Sequence, residues 1–292
     1  MTTACASKAS SHGMATAFYP AERSSGSAQA IMYANDTVVI RTASSDMGPG
    51  TYTAMTQLAA ETLDLPIERV HFELGDTDMP KAPVHGGSIT LVSVGNAVVE
   101  ACKALRGKLQ ALGDIAEGYG AVMRHQGLQS LEAAGSARPG EEAEKYWSAG
   151  FGAVFVEVRV DADFGTVRVP RIVGAYDAGR VINPKIARSQ CIGGMVGGLG
   201  MALMEQAEWD TRLGRVMNAN LAEYLVPVNA DVTDLDVTFV PSEDRIFNPL
   251  GAKGLAEIAL CGVAPAIANA VYHATGKRAR DLPITPEKLL GV

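Results

Sequence analysis

Two stretches near the start of the chain alternate between apolar and polar positions, AQAIMYA (28–34) and TVVIRTA (37–43). A period of two is that of a half-buried strand. Asn35-Asp36 between them is turn chemistry, so the pair predicts a hairpin. The period then lengthens. In TYTAMTQLAAETLDL (51–65) apolar side chains recur at 55, 58, 59 and 63, the spacing of one helix face. VHFELGD (70–76) returns to a strand pattern, and GNAVVEACKALRGKLQAL (95–112) predicts a second amphipathic helix.

The same order recurs further on. AVFVEVRVD (153–161) and TVRVPRIVGAYD (166–177) are strands joined by a turn at Asp163–Gly165. DAGRVINP leads into a helix with Asn183 as its N-cap and Pro184 at its first position. DLDVTFV (234–240) is one more strand. The glycine loop NPLGAKGLAE then opens a long helix from about Glu257 to Thr275, and RDLPITPEKLL forms an ordered C-terminal strap. Both halves run strand, strand, Asp-x-Gly loop, helix, the loops being Asp46-Met47-Gly48 and Asp177-Ala178-Gly179. An internal duplication and a coincidence explain this equally well, because two strands and a helix recur in many folds. The expected organisation is α+β with two strand-strand-helix subdomains: a flexible N-terminal arm at 1–26, a first subdomain at 27–126, a polar Gly/Pro-containing linker at 127–150, and a second subdomain at 151–292 with the glycine loop and the strap.

Composition narrows the function classes. Hydrophobic residues are 47% and charged residues 20%, with a net charge of −7, which fits a compact, mildly acidic protein and argues against nucleic acid as a partner. The opening MTTACASKASSHG has no apolar core of a secretory signal. The uncharged run CIGGMVGGLGMALM (191–204) is shorter than the about 20 residues a bilayer needs, so it predicts a buried helix and no membrane insertion. The expected location is cytoplasmic, or periplasmic only by export with a signal-bearing partner. Cys5, Cys102, Cys191 and Cys261 lie far apart with no CxxC pair; they predict buried apolar residues or, for Cys5, a disordered one, and neither an iron–sulfur nor a zinc motif.

Three glycine-rich turns stand immediately before helices: Gly48-Pro49-Gly50, Gly179 to Pro184, and Gly251 to Gly254; a fourth glycine pair is Gly86-Gly87 before Ser88. Open backbone N–H groups at helix starts favour phosphates. Any one such turn is commonplace, but together they point to a large phosphate-bearing cofactor. GPGTYT holds two of the three glycines of a dinucleotide fingerprint and GAKG is not a P-loop. Gly193, Gly194, Gly197, Gly198 and Gly200 share one predicted helix. Each costs about 1 kcal/mol relative to alanine there, which predicts close packing on a neighbouring backbone. Glu257 heads an apolar helix beside a glycine loop. Burial would raise its pKa and a helix N-terminus would lower it, and an ordinary helix-start carboxylate is the plainer alternative. The five histidines show no metal-ligand spacing, so no metal is expected to be held directly by side chains.

Five blocks, in this order, resemble the xanthine dehydrogenase/aldehyde oxidase family, in its molybdopterin-binding (large) subunit and within that its C-terminal half. They are DMGPGTYTAMTQLAAETLDLPIERVHFELGDTDMP, the GGS at 86–88, VRVPRIVGAYDAGRVINPKIARSQCIGGM, NANLAEYLVPVNAD, and NPLGAKGLAEIAL with PAIANAVYHATG. The likeness covers about residues 14–290 and is strongest to bacterial aldehyde-oxidising members. It implies the family's second molybdopterin-binding domain, a cofactor whose own sulfurs hold the molybdenum, and hydroxylation of an aldehyde with water as the oxygen source. The family pattern Lys-Gly-x-Gly-Glu places the catalytic base at Glu257. By the same resemblance Gly48, Pro49 and Gly50, Gly86, Gly87 and Ser88, Arg180, Val181, Ile182, Asn183, Pro184, Lys185 and Ile186 with Gln190, and Lys253, Gly254, Leu255 and Ala256 line the cofactor. Ala256 stands where the family has glycine, and Pro49 where it has Gln or Thr. The helix-start cradle and the bacterial likeness imply the cytosine dinucleotide form of the cofactor, with [2Fe-2S] and FAD on partner subunits and the N-terminal half of the molybdenum subunit on another chain, unless the sequence is a fragment. Hydroxylation of an N-heteroaromatic ring, purine or nicotinate, is the alternative within enzymes; a non-catalytic remnant subunit is the alternative outside them.

Overall fold

The computed structural model describes residues 8–291. The first half contains β1 (Lys8–Pro20), β2 (Gly26–Tyr33), β3 (Val38–Arg41), α1 (Thr51–Leu63), β4 (Val70–Glu73), α2 (Thr90–Leu112), α3 (Tyr119–His125), β5 (Ser130–Ala137) and the single turn α4 (Glu142–Lys145). The second half contains β6 (Ala149–Asp161), β7 (Val167–Asp177), α5 (Pro184–Leu203), a small hairpin of β8 (Trp209–Asp210) and β9 (Arg215–Val216), β10 (Asp234–Phe239), α6 (Glu257–Cys261), α7 (Val263–Thr275) and α8 (Pro286–Leu290).

Two four-stranded sheets result, ordered β4-β3-β2-β5 and β10-β7-β6-β1. Each is built on an antiparallel hairpin, β2–β3 or β6–β7. Each adds a parallel strand beside the hairpin's second strand, β4 or β10, and an antiparallel edge strand, β5 or β1, on the other side. A parallel neighbour requires a crossover, and α1 and α5 are those crossovers. The two units therefore share one plan. They differ in where the antiparallel edge strand comes from: β5 follows α2 and the short α3 within its own unit, whereas β1 lies ahead of the whole first unit in the sequence.

One face of each sheet is packed by helices. In α2 the buried Val94, Val98, Ala101, Cys102, Leu105 and Leu109 recur every three or four residues and cover the first sheet. In α7 Val263, Ile267, Ala270 and Val271 do the same for the second, beside Met195 and Leu199 of α5. Burying a Val or Leu side chain contributes roughly 1.5–3 kcal/mol, so these stripes outweigh the modest helix propensity of the valines. The edge strands meet the helices unusually closely. A Cβ on Gly13 of β1 would overlap Ala270 of α7, and one on Gly135 of β5 would overlap Ala101 of α2.

That closeness corrects two expectations. The flexible arm expected at 1–26 is, in its described part, the strand β1, paired with β6 from Lys8↔Asp161 to Pro20↔Ala149. Residues 1–7, with Cys5, lie outside the described residues. The linker expected at 127–150 contains β5, paired with β2. Both strands carry small inward residues because a helix backbone lies against them, and small residues give no hydrophobic alternation to see. Two further boundaries differ. Helix α2 begins at Thr90, not 95, and the long helix expected from Glu257 to Thr275 is broken at Gly262. There the chain passes over the sheet so closely that a Cβ would lie 2.6 Å from Val154 Cγ2 and 3.2 Å from Ala17 Cβ. The strap is anchored by Ile284 and Leu289 in the second core.

Candidate active site

The Asp-x-Gly loops have the same local construction. Asp46 Oδ1 accepts from Gly48 N at 2.8 Å, and Asp177 Oδ1 accepts from Gly179 N at 3.1 Å. Each carboxylate closes a turn that aims the chain into a helix. The second loop is zipped to the glycine loop 251–253, with Arg180 N donating to Gly251 O and Lys253 N to Ala178 O, both at 2.8 Å. Asn183 caps α5 by accepting from Ile186 N at 3.0 Å, and Pro184 occupies its first turn.

These loops, with 85–88, surround one cavity of about 420 Å³ between the two units. Its wall is made by Gly48 and Pro49 with Thr51, Ala54 and Met55 of α1; by His85 to Ser88 with Thr90 and Leu91 of α2; by Ala178, Arg180 to Asn183, Ile186, Ala187 and Gln190; and by Lys253 to Glu257. The structure thus brings most of the expected cofactor residues together. Three lie off the wall. Gly50 is turned against Ile186, while Pro184 and Lys185 are exposed on the outer side of the helix start. Met47, Thr51, Ala54, Met55, His85, Thr90, Leu91, Ala178 and Ala187 line the cavity without having been expected. Apart from His85, whose ring Nδ1 is engaged with Ser45, they are small or apolar side chains whose type carries no signal of a ligand.

The starts of α1, α2 and α5 border this cavity, and a helix start favours an anion, although Asp46 already accepts from Tyr52 N at α1 and Asn183 from Ile186 N at α5. The two cations expected there are already engaged. Arg180 makes two bonds, 2.7 and 2.6 Å, to Glu61 of α1. Lys253 Nζ is buried, 2.8 Å from Asp177 and 3.7 Å from Asp244. They clamp the loops to one another, which leaves backbone N–H groups and the Gln190 amide for a phosphate. Burial raises the Asp177 pKa, but hydrogen bonds from Lys253, Ser242 and the Gly179 N–H outweigh it and hold the carboxyl below its ordinary value. Gly86 points to a ligand as well. Its backbone is not left-handed and a Cβ there would meet nothing within 4 Å. Neither conformation nor protein packing demands glycine, whereas a group occupying the cavity would. The walls therefore fit a large, flat, phosphate-bearing cofactor.

Glu257 stands half-buried at the head of α6, with Ser88 Oγ hydrogen-bonded to its Oε2. Burial and then the neighbouring Glu257 charge push the Tyr19 phenol up, and the same two causes push up the Cys261 thiol. Tyr19 belongs to β1, so the strand that composition hid brings a phenol to the site. Beneath the loop, burial holds the Cys191 thiol at about 12, against a hydrogen bond from Ala256. Ala256 sits at φ 78°, ψ −63° and Ser88 at φ 57°. Both are strained conformations for side-chain-bearing residues, of the kind that concentrates at functional sites. Among the described residues no group of three or more His, Cys, Asp or Glu side chains comes together to hold a metal ion.

The family model of the molybdopterin cofactor-binding domain matches residues 2–233. The aldehyde oxidoreductase molybdenum-binding subunit PaoC of Escherichia coli K12 is 40% identical over 96% of this chain and 40% of its own length. A putative xanthine dehydrogenase molybdenum-binding subunit of the same strain is 30% identical over 90% of this chain and 38% of its own. The aldehyde oxidoreductase of Desulfovibrio gigas superposes with a TM-score of 0.83 at 25% identity, over 99% of this chain and 33% of that one. The chain thus spans about 40% of the length of the PaoC-type relatives it matches. With the family model covering most of the sequence and the same α+β architecture recurring in these structures, the chain belongs to the xanthine dehydrogenase/aldehyde oxidase family, as its molybdopterin-binding domain.

Proposed function

We propose that this chain is part of a molybdenum hydroxylase that oxidises aldehydes to carboxylic acids, and that Glu257 is its base. One observation carries this: the cavity walled by glycine loops and three helix starts holds the Glu257 carboxyl at its rim, on the loop that Lys253 locks in place. Bound there, the cofactor supplies the two-electron acceptor and the activation of a water-derived nucleophile. The residues of this chain do the rest. Backbone N–H groups at the starts of α1, α2 and α5 hold the phosphate end. Gly86 and Gly87 let the ring system approach the backbone. Glu257 takes the proton from the attacking oxygen, a role that typically contributes about 10²–10⁴-fold.

The extent of the cradle favours a pyrophosphate with an attached nucleoside, the cytosine dinucleotide form. The relatives are molybdenum-binding subunits, which favours partner subunits carrying [2Fe-2S] and FAD that relay electrons in the cytoplasm. Among the described residues one stretch is apolar and long enough to cross a membrane, Glu257–Thr275, and it is half buried in the second core, which speaks against membrane insertion.

Co-expression with candidate partners and metal analysis tests the whole reading. The assembled enzyme should contain molybdenum, release CMP in about equal amount on acid treatment, and oxidise aldehydes. Glu257→Gln should lose at least about a thousandfold in turnover with molybdenum unchanged; turnover within tenfold of the parent removes Glu257 from the chemistry. A probable hypoxanthine oxidase of Escherichia coli is 31% identical over 87% of this chain. Purine turnover without aldehyde turnover would move the assignment to ring hydroxylation, and a complex without molybdenum would make the chain a non-catalytic remnant.

A further inference from the structure

Ser88 comes from the first unit and Glu257 from the second, and they meet across the cavity. Ser88 Oγ is also 2.6 Å from the carbonyl oxygen of Leu255. A hydroxyl carries one proton, a carbonyl oxygen only accepts, and an ionised carboxylate only accepts. With Glu257 ionised, Ser88 can donate to one of its two neighbours and the other contact has no proton in it. With Glu257 protonated the count closes: the carboxyl donates to Ser88 Oγ, and Ser88 donates to Leu255 O.

We propose that Ser88 is a positioning residue for Glu257, its hydroxyl turning between the Glu257 carboxylate and the Leu255 carbonyl as Glu257 loses and gains its proton. This rests on Glu257 being the base. In the step it serves, the O–H bond of the attacking oxygen breaks and a new O–H bond forms on the carboxyl. Ser88 keeps its own proton throughout and only redirects it, so nothing is oxidised or reduced. Both oxygens are held for this. The Ser88 backbone is left-handed, and Gly254 rests directly on it, so close that a Cβ on Gly254 would lie 2.7 Å from Ser88 Cβ. The other groups facing Glu257 are the Tyr19 phenol from β1 and the Cys261 thiol within α6. The Lys253 ammonium is committed to Asp177 and Asp244. Of the two hydroxyls facing Glu257, Ser88 is the one that also touches the Leu255 carbonyl and so has a second acceptor to turn to.

The test is acid-minus-neutral difference infrared spectroscopy on the full 292-residue chain, with ¹³C-labelled glutamate. The Glu257 carboxyl band is identified by its loss in Glu257→Gln. In the parent its C=O stretch should sit at the low frequency of a carboxyl that donates a hydrogen bond, and it should rise in Ser88→Ala. Ser88→Gly, which relaxes the left-handed backbone while also removing the hydroxyl, should give the same rise. A band unmoved in both variants overturns the proposal. In the assembled enzyme Ser88→Gly should lower kcat about tenfold or more and shift its pH profile, with KM and molybdenum content unchanged; an unchanged profile also overturns it. If Glu257→Gln keeps its turnover while the infrared band moves as described, the hydrogen-bond chain stands and the role of Glu257 as base fails.

Discussion

Gly194 of α5 packs directly beneath the backbone on either side of Glu257. A Cβ there would lie 2.5 Å from the carbonyl oxygen of Ala256 and 3.2 Å from Leu260 N, while one on Gly193, the preceding residue, would meet nothing within 4 Å. Gly193→Ala and Gly194→Ala therefore share the helix-propensity gain of up to about 1 kcal/mol, and it cancels between them. What remains is the overpacking at Gly194, about 1–3 kcal/mol. Ordinary contact begins near 3.4 Å, so the loop carrying Glu257 must retreat by close to an ångström. A misplacement of that size costs about 10²-fold in catalysis. Thermal unfolding of the two variants, followed by circular dichroism, should place Gly193→Ala at or above the parent and Gly194→Ala below Gly193→Ala by the overpacking energy. Turnover of the assembled enzyme carrying Gly194→Ala should fall between ten- and a hundredfold with molybdenum retained. Equal stabilisation by both substitutions would refute the close packing of α5 beneath the loop.

Ala256→Gly should relieve a backbone held at φ 78°, a strain of about 1–3 kcal/mol partly offset by the about 0.4–1 kcal/mol entropy of glycine. The variant should be as stable as the parent or more so in urea unfolding, with molybdenum loading equal or higher, and a clear fall in both would mean that the loop is misplaced. The depressed Asp177 carboxyl contributes stability that is present above the ordinary carboxylate pKa of about 4 and is lost as the pH falls through its lower folded value. Asp177→Asn should remove that part of the acid dependence of the unfolding midpoint, whereas parallel pH profiles for variant and parent would show that Lys253 gains nothing from it. Phe18, stacked on Trp147 at 5.1 Å and edge-on to Phe151 at 5.2 Å, lies exposed on the outer face of the second sheet. The chain purified by itself should self-associate in light scattering, and Phe18→Ser with Phe151→Ser should reduce this; association unchanged by the pair would place the sticky surface elsewhere.

The sequence alone determined those parts of the protein whose signal is local. The hairpins at 28–43 and 153–177 alternate with a period of two, α1 and α7 carry apolar stripes, and Asn183-Pro184 is a helix start whose chemistry depends on neighbours a few residues away. The glycine loops and Glu257 could be picked out for the same reason, and the five ordered blocks of family likeness tied them to one cofactor. Tertiary structure alone decided the rest. β1 and β5 were hidden because close approach of α7 and α2 selects Gly13, Ala15 and Ala17, or Ala133 and Gly135, where a strand ordinarily shows large side chains. Gly262 breaks the last long helix because of Val154, over a hundred residues earlier. The family likeness places Arg180 and Lys253 beside the cofactor, and only the structure shows that Glu61, Asp177 and Asp244 hold their charged ends. Ser88 reaches Glu257 only because two units built on one plan face each other, and Tyr19 only because β1 closes the edge of the second sheet; no periodicity in either unit encodes where the other will place its loop.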